Sequence, residues 1–206
     1  MNEDLVISVY PYVPLMLGLA VLASTILRLD RKFSLTKLIV LAACVLIPFV
    51  PVDDIDLGRY YLSVVGHVSV TSTLFLAAVV YWRFAGRNLL AQGELTILAS
   101  IISVGSALLY ASAFGLIGFN VFDLGFGSLV LFSALLAINV LLFGLGKYFA
   151  GCVISVTVIA YNVNLLDSLN YWDYFTDPPL AILSGSWLIF SLYKSLFRAE
   201  GSRVSV

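Results

Sequence analysis

The sequence predicts an all-α fold, a polytopic transmembrane helical bundle of about seven spans, with the N-terminus outside and the C-terminus in the cytoplasm. Two observations predict this class. Hydrophobic residues make up 61% of the 206 residues and charged residues 11%, whereas soluble domains carry about 25% charged residues. The run Tyr61–Trp82 contains no Asp, Glu, Lys or Arg. It is long enough to cross the ~30 Å bilayer core as a helix, the form that lipid imposes on a lone segment.

The charges on either side of that run predict its orientation. Three aspartates precede it between positions 53 and 56, and Arg83 and Arg87 follow it. Lys and Arg near the ends of a span mark the cytoplasmic side. We therefore expect this helix to enter from outside near Tyr61 and to leave into the cytoplasm near Trp82.

The other apolar segments are interpreted against this one, and together they form a single transmembrane helical domain over residues 1–206. Pro48 and Pro51 are expected to kink or end the second span near the outer surface, because proline interrupts a helix. Ten of the 11 Lys and Arg residues then lie inside, and only Arg59 lies outside. The predicted spans are 9–27, 38–52, 61–82, 95–117, 128–145, 148–166 and 180–197.

Several classes of function find no support in the composition. The net charge of −1 gives no indication of nucleic-acid binding. Cys44 and Cys152 both fall inside predicted spans, which favours a buried apolar role over a disulfide. The N-terminus lacks a basic n-region, so the first apolar run is expected to be an uncleaved span. The location expected for such a chain is a bacterial cytoplasmic (inner) membrane.

The fourth predicted span carries a small residue at every fourth position. Small side chains let helices approach closely in lipid, so this span is the candidate for a central packing helix. The same pattern also serves dimer faces, and we favour packing within one subunit. The residues are Ala99, Ser103, Ala107, Ala111 and Gly115.

His67 is the single histidine and lies about six residues into the third predicted span. Ionisable side chains within a membrane are often functional, so His67 is a candidate general base or proton-relay residue. On a continuous helix, Ser63 and Thr71 would share its face. The alternative is a neutral histidine hydrogen-bonded to a neighbouring helix.

The second candidate site is the outer stretch 162–177, where asparagines, aspartates and aromatic residues alternate. One interpretation is a binding surface for a lipid head group, a sugar or a periplasmic partner, because aromatic faces stack on sugars and carboxylates bind hydroxyls or cations. The other is an interfacial aromatic belt with solvated acids. The candidate binding residues are Asn162, Asn164, Asp167, Trp172, Asp173 and Asp177.

No cofactor or metal site is predicted. The pairs of acids, such as Asp173 and Asp177, have a spacing that alone does not define a magnesium or calcium site. Nucleotide-binding, zinc-protease and serine-hydrolase motifs are absent from the sequence. No lysine lies in the middle of a span.

Three functions follow as hypotheses. The leading one is a non-enzymatic accessory or scaffold subunit, whose outer face recognises an envelope lipid, a glycan or another membrane or periplasmic protein. The second is a small membrane enzyme acting on a lipid-linked head group, with His67 as base and Asp167, Asp173 or Asp177 orienting it. The third is a small-solute carrier with His67, Asn139 and Asn162 along its path, although carriers often show duplicated halves and none is visible here.

Overall fold

The computed structural model describes residues 8–28, 35–90 and 93–201, with side chains up to residue 195. Over this part of the chain the regular structure is almost entirely helical, which confirms the predicted all-α class. The strands in the described residues are β1 (Pro51–Val52) and β2 (Ile55–Asp56), which pair in an antiparallel hairpin. The helices are α1 (Val13–Ile26), α2 (Leu35–Leu46), α3 (Leu57–Val65), α4 (Val70–Ala85), α5 (Glu94–Ala113), α6 (Leu129–Gly144), α7 (Tyr148–Asn162), α8 (Tyr171–Phe175) and α9 (Pro178–Gly201).

Helix length bears directly on the predicted spans. Within the described chain, one helix, Glu94–Ala113, is long and apolar enough by itself to cross a membrane. The number of seven spans stays a prediction. Five shorter apolar helices fall within or close to other predicted spans: Tyr10–Ile26, Leu35–Phe49, Val70–Ala85, Leu129–Gly144 and Tyr148–Asn162.

The prediction of one continuous helix over Tyr61–Trp82 is wrong. Helix α3 ends at Val65, and Gly66 follows with φ 74°, a backbone conformation open mainly to glycine. Ser69 then caps α4, because its hydroxyl oxygen accepts the N–H of Ser72 at 3.1 Å. The uncharged run therefore contains a helix end and a new helix start, which hydropathy alone does not distinguish.

The chain forms two compact units, each described here by itself. Unit 1 comprises Met1–Leu89 and Cys152–Phe175. In it α1 packs on α4 and α2, and the Tyr10 hydroxyl lies 3.0 Å from Oγ1 of Thr73. The buried core around α4 and α7 consists of Val70, Ala160, Leu166 and Tyr174, with Tyr10, Leu74, Tyr161 and Leu165 packed against it.

Helix α3 is fixed in unit 1 by close contact at Gly58. A Cβ atom added at this position would overlap the ring of Tyr12 and lie 3.1 Å from the carbonyl oxygen of Pro48. Asp56 begins the helix, since its carboxylate accepts the N–H of Arg59 at 2.8 Å. The hydrogen bond to Tyr12 and then the charge of Asp56 raise the pKa of Arg59.

Unit 2 comprises Leu90–Gly151 and Thr176–Val206. Its main packing joins α5 to α9, and polar side chains line the contact. Oγ of Ser103 donates to Oγ of Ser184 on α9 at 3.1 Å, and the hydroxyls of Ser106 and of Thr176, just before α9, lie 2.8 Å apart. Such short polar contacts between helices require close approach, which small residues permit.

A buried carboxylate holds two helix starts together in unit 2. Glu94 is the first residue of α5, and its Oε1 accepts the backbone N–H of Phe149 in the first turn of α7 at 2.9 Å. The first N–H groups of a helix have no partner within the helix, and the helix dipole favours negative charge there. Glu94 therefore links the N-termini of α5 and α7.

The predicted ladder of small residues on α5 is only partly buried. Ala99 is buried and Ser103 contacts α9, but Ala107 is exposed. Gly115 does not belong to the ladder, because α5 ends at Ala113 and Gly115 has φ 69°. The buried face of α5 instead follows Leu98, Ile102, Ser106 and Leu109.

The cysteine prediction is confirmed for one residue and wrong for the other. Cys44 is buried, whereas Cys152 on α7 is exposed, and neither forms a disulfide.

Candidate functional site

The candidate site is the segment 163–175, which follows α7 and contains α8, and which we call the α7–α8 segment. Helix α7 ends at Asn162, whose side-chain amide donates to the Val158 carbonyl at 2.8 Å. Asn164 then adopts a left-handed backbone with φ 50°. The Leu165 N–H returns to the Ala160 carbonyl at 2.9 Å, the hydrogen bond that closes a helix in a Schellman motif. Asn164 thus sets the direction in which the chain leaves the helix.

The hydroxyl of Tyr174 holds the middle of this segment. It donates to the Leu166 carbonyl at 2.8 Å, lies 3.0 Å from the Ser168 carbonyl oxygen, and accepts the Leu166 N–H at 3.2 Å. The Tyr174 side chain is fully buried, with 0% exposure. One side chain therefore satisfies backbone groups that would otherwise be buried without partners.

A second set of hydrogen bonds fixes the start of α8. The side-chain oxygen of the buried Asn170 accepts the Trp172 N–H at 3.0 Å, as a helix cap. The Ser168 hydroxyl donates to the Asp173 carboxylate at 2.5 Å and accepts the Asn170 N–H at 3.1 Å. Asp173 is therefore held in place although its side chain is exposed.

The aromatic side chains of α8 form a buried cluster and not a surface belt. Tyr171, Tyr174 and Phe175 are buried, and Trp172 is 7% exposed. The Tyr171 ring stacks on Phe175 with centroids 5.9 Å apart, and its hydroxyl lies 2.9 Å from Oγ1 of Thr157. Burial raises the pKa of both Tyr171 and Tyr174. The face of Trp172 is thus not available for stacking on a ligand in this structure.

The exposed part of the segment is mainly polar, with two exposed apolar side chains, Val163 and Leu169. Asn164, Asp167 and Asp173 are exposed, as is Asn162 at the end of α7. Leu169 stands among them with 73% exposure. Amide and carboxylate oxygens are acceptors, so this surface can accept hydrogen bonds from hydroxyl, amide or ammonium groups. The binding roles predicted for these residues stay predictions.

Asp177, the remaining predicted binding residue, belongs to unit 2. Its carboxylate accepts the Leu180 N–H at 2.9 Å and so caps α9. Asp177 is buried, with 9% exposure. In the structure Asp177 therefore caps the start of α9. The sequence Asp-Pro-Pro is typical of a helix N-terminus.

His67 lies in the irregular link between α3 and α4 and is exposed. It is not on a helix, so Ser63 on α3 and Thr71 on α4 do not share a helical face with it. Among the described residues, neither His67 nor Asp167 has a hydrogen-bond or ion-pair partner, so no base–orienter pair is formed. No group of three or more His, Cys, Asp or Glu residues in the described part of the chain could hold a metal ion.

Comparison with known proteins adds no further information. No family model matches this chain, and no curated protein or solved structure shows significant similarity to it. The class of this protein is therefore stated from its structure, as a nearly all-helical, highly apolar chain.

Proposed function

We propose that this protein is a multi-pass α-helical membrane protein, with seven spans and its C-terminus in the cytoplasm. Support comes from large apolar side chains that are exposed on α2, α6 and α9, such as Leu35, Leu129 and Ile189. Helix α6 is apolar on all sides, and its residues Leu129 and Val130 are 81% and 70% exposed. Helices of this kind are suited to lipid, and exposed apolar surface of this extent is rare on soluble monomers.

The broken third span changes the proposed topology at one point. Helix α4, with 16 residues, would cross the membrane over about 24 Å, with local thinning of the bilayer. Helix α3 is short and strongly amphipathic, which suits a position in the membrane–water interface. His67 would then lie at the outer interface, where α3 joins α4.

We propose further that the protein is a non-enzymatic accessory or scaffold subunit whose α7–α8 segment recognises an envelope lipid, a glycan or a protein. The observation that carries this proposal is the fixed frame of that segment. Tyr174 and Asn170 hold the backbone from inside, while Asp167, Leu169 and Asp173 stand outside. A preorganised loop loses little conformational entropy on binding. The partner would present hydroxyl, amide or ammonium groups to the two carboxylates.

Site-directed photocrosslinking in intact membranes tests this proposal. A photoreactive residue in place of Leu169 should give a defined adduct, and the double change Asp167→Asn with Asp173→Asn should remove it. Val64 on α3, which is 84% exposed, is the control position and should not give the same adduct. Identical products from positions 64 and 169 would show that the segment recognises nothing specific.

Membrane insertion is tested separately. The chain should remain in the membrane fraction after alkaline carbonate washing, and a cysteine placed at Leu169 should react with a membrane-impermeant reagent in intact cells. A cysteine at the C-terminal Val206 should react only after the membrane is opened. Reaction at position 206 in intact cells would overturn the proposed orientation.

A further inference from the structure

Basic side chains gather where α4 ends, on the proposed cytoplasmic side of unit 1. Lys37, in the first turn of α2, is buried, with 3% exposure. Its Nζ donates to the Phe84 carbonyl at 3.2 Å and lies 6.0 Å from the centroid of the Phe84 ring. A cation at the last carbonyls of a helix is favoured by the helix dipole. Lys37 thus makes its hydrogen bond within the protein, to a neutral carbonyl that leaves its positive charge in place.

Arg83, the neighbour of Phe84, is in a different situation. Its guanidinium carbon lies 5.2 Å from the centroid of the Trp82 ring. Its Nε atom is buried, and among the residues that the structure describes it has no hydrogen-bond partner and Arg83 has no paired carboxylate. Arg83 as a whole is only half-buried. Because arginine stays charged in proteins, it carries a charge that no described carboxylate neutralises, and an anion from outside the chain can pair with the accessible part of its guanidinium.

We propose that Arg83 binds the phosphate of an anionic phospholipid head group, assisted by the exposed Arg87 and by the field of Lys37. This inference rests on the membrane insertion proposed above. The planar guanidinium matches a phosphate with two parallel hydrogen bonds. Trp82 is half-buried beside it, as expected for a tryptophan at the membrane–water interface. Basic residues at this depth are attracted to the anionic lipids of the cytoplasmic leaflet.

Two simpler roles for Arg83 lead to different expectations. As an orientation signal alone, Arg83 would act during insertion and would not discriminate between lipids afterwards. As the partner of a carboxylate of the same chain, it would already be neutralised. Asp30 is a candidate for that carboxylate by sequence and lies outside the described residues. Both roles can be separated from lipid binding by experiment.

The test is native mass spectrometry of the full chain, released from detergent in the presence of equal amounts of phosphatidylglycerol and phosphatidylcholine. The wild type should retain phosphatidylglycerol preferentially, and Arg83→Gln should lower that preference about fivefold, the factor that one basic residue contributes near an anionic surface. Arg59→Gln is the matched control, because Arg59 pairs with Asp56 at 3.3 Å, and it should retain the wild-type preference. Equal retention of the two lipids by the wild type, or an unchanged preference in Arg83→Gln, would overturn the proposal.

Further arms identify the source of the phosphate and the role of the arginine. Inorganic phosphate should not displace the lipid more than chloride does at the same ionic strength, and full displacement would assign the site to free phosphate. Asp30→Asn should leave the lipid preference unchanged, and a rise would show that Asp30 neutralises Arg83. Arg83→Lys keeps the charge and the orientation signal, and it should lose part of the preference because it lacks the planar fork. Full wild-type preference in Arg83→Lys would exclude guanidinium-specific binding.

Failure of this inference can be told from failure of the proposed membrane insertion. A chain that is released by carbonate and stays soluble without detergent would defeat both. A chain that stays in the membrane but shows no lipid preference would defeat the lipid site alone.

Discussion

Replacement of Tyr174 by phenylalanine should loosen the α7–α8 segment without opening a cavity, because the ring stays and only the hydroxyl is lost. That hydroxyl bonds both the N–H and the carbonyl of the buried Leu166. Leaving a buried backbone group without a partner costs about 1–3 kcal/mol. We therefore expect a loss of about 2 kcal/mol in the free energy of unfolding. For a chain of this size, that lowers the midpoint of thermal unfolding by about 4–8 °C.

The assay is thermal unfolding of the purified protein in one detergent, with Tyr60→Phe as the control. Tyr60 is 41% exposed, so loss of its hydroxyl should change the midpoint by less than about 1 °C, as surface substitutions usually do. Tyr174→Phe should also weaken the photocrosslink at Leu169, since the frame that presents this residue is loosened. Equal midpoints for the two variants would refute the argument that Tyr174 holds the segment.

The raised pKa of Tyr174 gives the same argument a pH dependence. Burial keeps this phenol protonated in the folded state above its ordinary pKa of 10.0. Above about pH 10 the unfolded state therefore binds fewer protons than the folded state, and stability falls as pH rises. The wild type should lose more stability than Tyr174→Phe over this alkaline range, and equal slopes would contradict the burial argument.

Two further substitutions test other parts of the fold. Glu94→Ala removes the acceptor of the Phe149 N–H and should lower the free energy of unfolding by about 1–2 kcal/mol. Glu94→Gln keeps an acceptor oxygen and should lower it less. Equal losses for the two variants in thermal unfolding would contradict the capping role. Gly58→Ala forces a methyl group into the ring of Tyr12 and should lower the free energy of unfolding by about 1–3 kcal/mol. The added change Tyr12→Ala should recover part of that loss. No recovery would mean that the ring is not the obstacle.

Local signals accounted for much of the fold, and the failures have physical reasons. Apolar segments located the long helices, because their length and composition depend on neighbouring residues alone. The break at Gly66 was missed although its signals were present, a glycine followed by Ser69 as a helix cap. A run without charges does not establish a continuous helix, because hydropathy reports the preferred solvent of a segment and not its backbone dihedral angles. For the same reason, spacing alone did not exclude Gly115 from the predicted ladder, although it lies beyond the end of α5 with a positive φ.

The sequence indicated which segment holds the candidate site, but not which side chains hold that segment in place. Asn162, Asn164, Asp167 and Asp173 were expected at a polar surface and are exposed. Trp172 and Asp177 were expected beside them and are buried. The roles of Lys37 and Glu94 at helix ends depend on contacts between residues distant along the chain. A single sequence carries no record of such contacts.

By itself the sequence determined that this protein is helical and very apolar, because these properties follow from composition and order. Tertiary structure alone decided which polar groups are paired within the protein and which are not. Whether an arginine or an aspartate is paired depends on the atoms that packing brings within hydrogen-bond distance. For this reason Lys37, Glu94 and Asp177 pair with backbone groups at helix ends. Within the described residues, by contrast, Arg83 Nε has no hydrogen-bond partner and Asp167 is exposed.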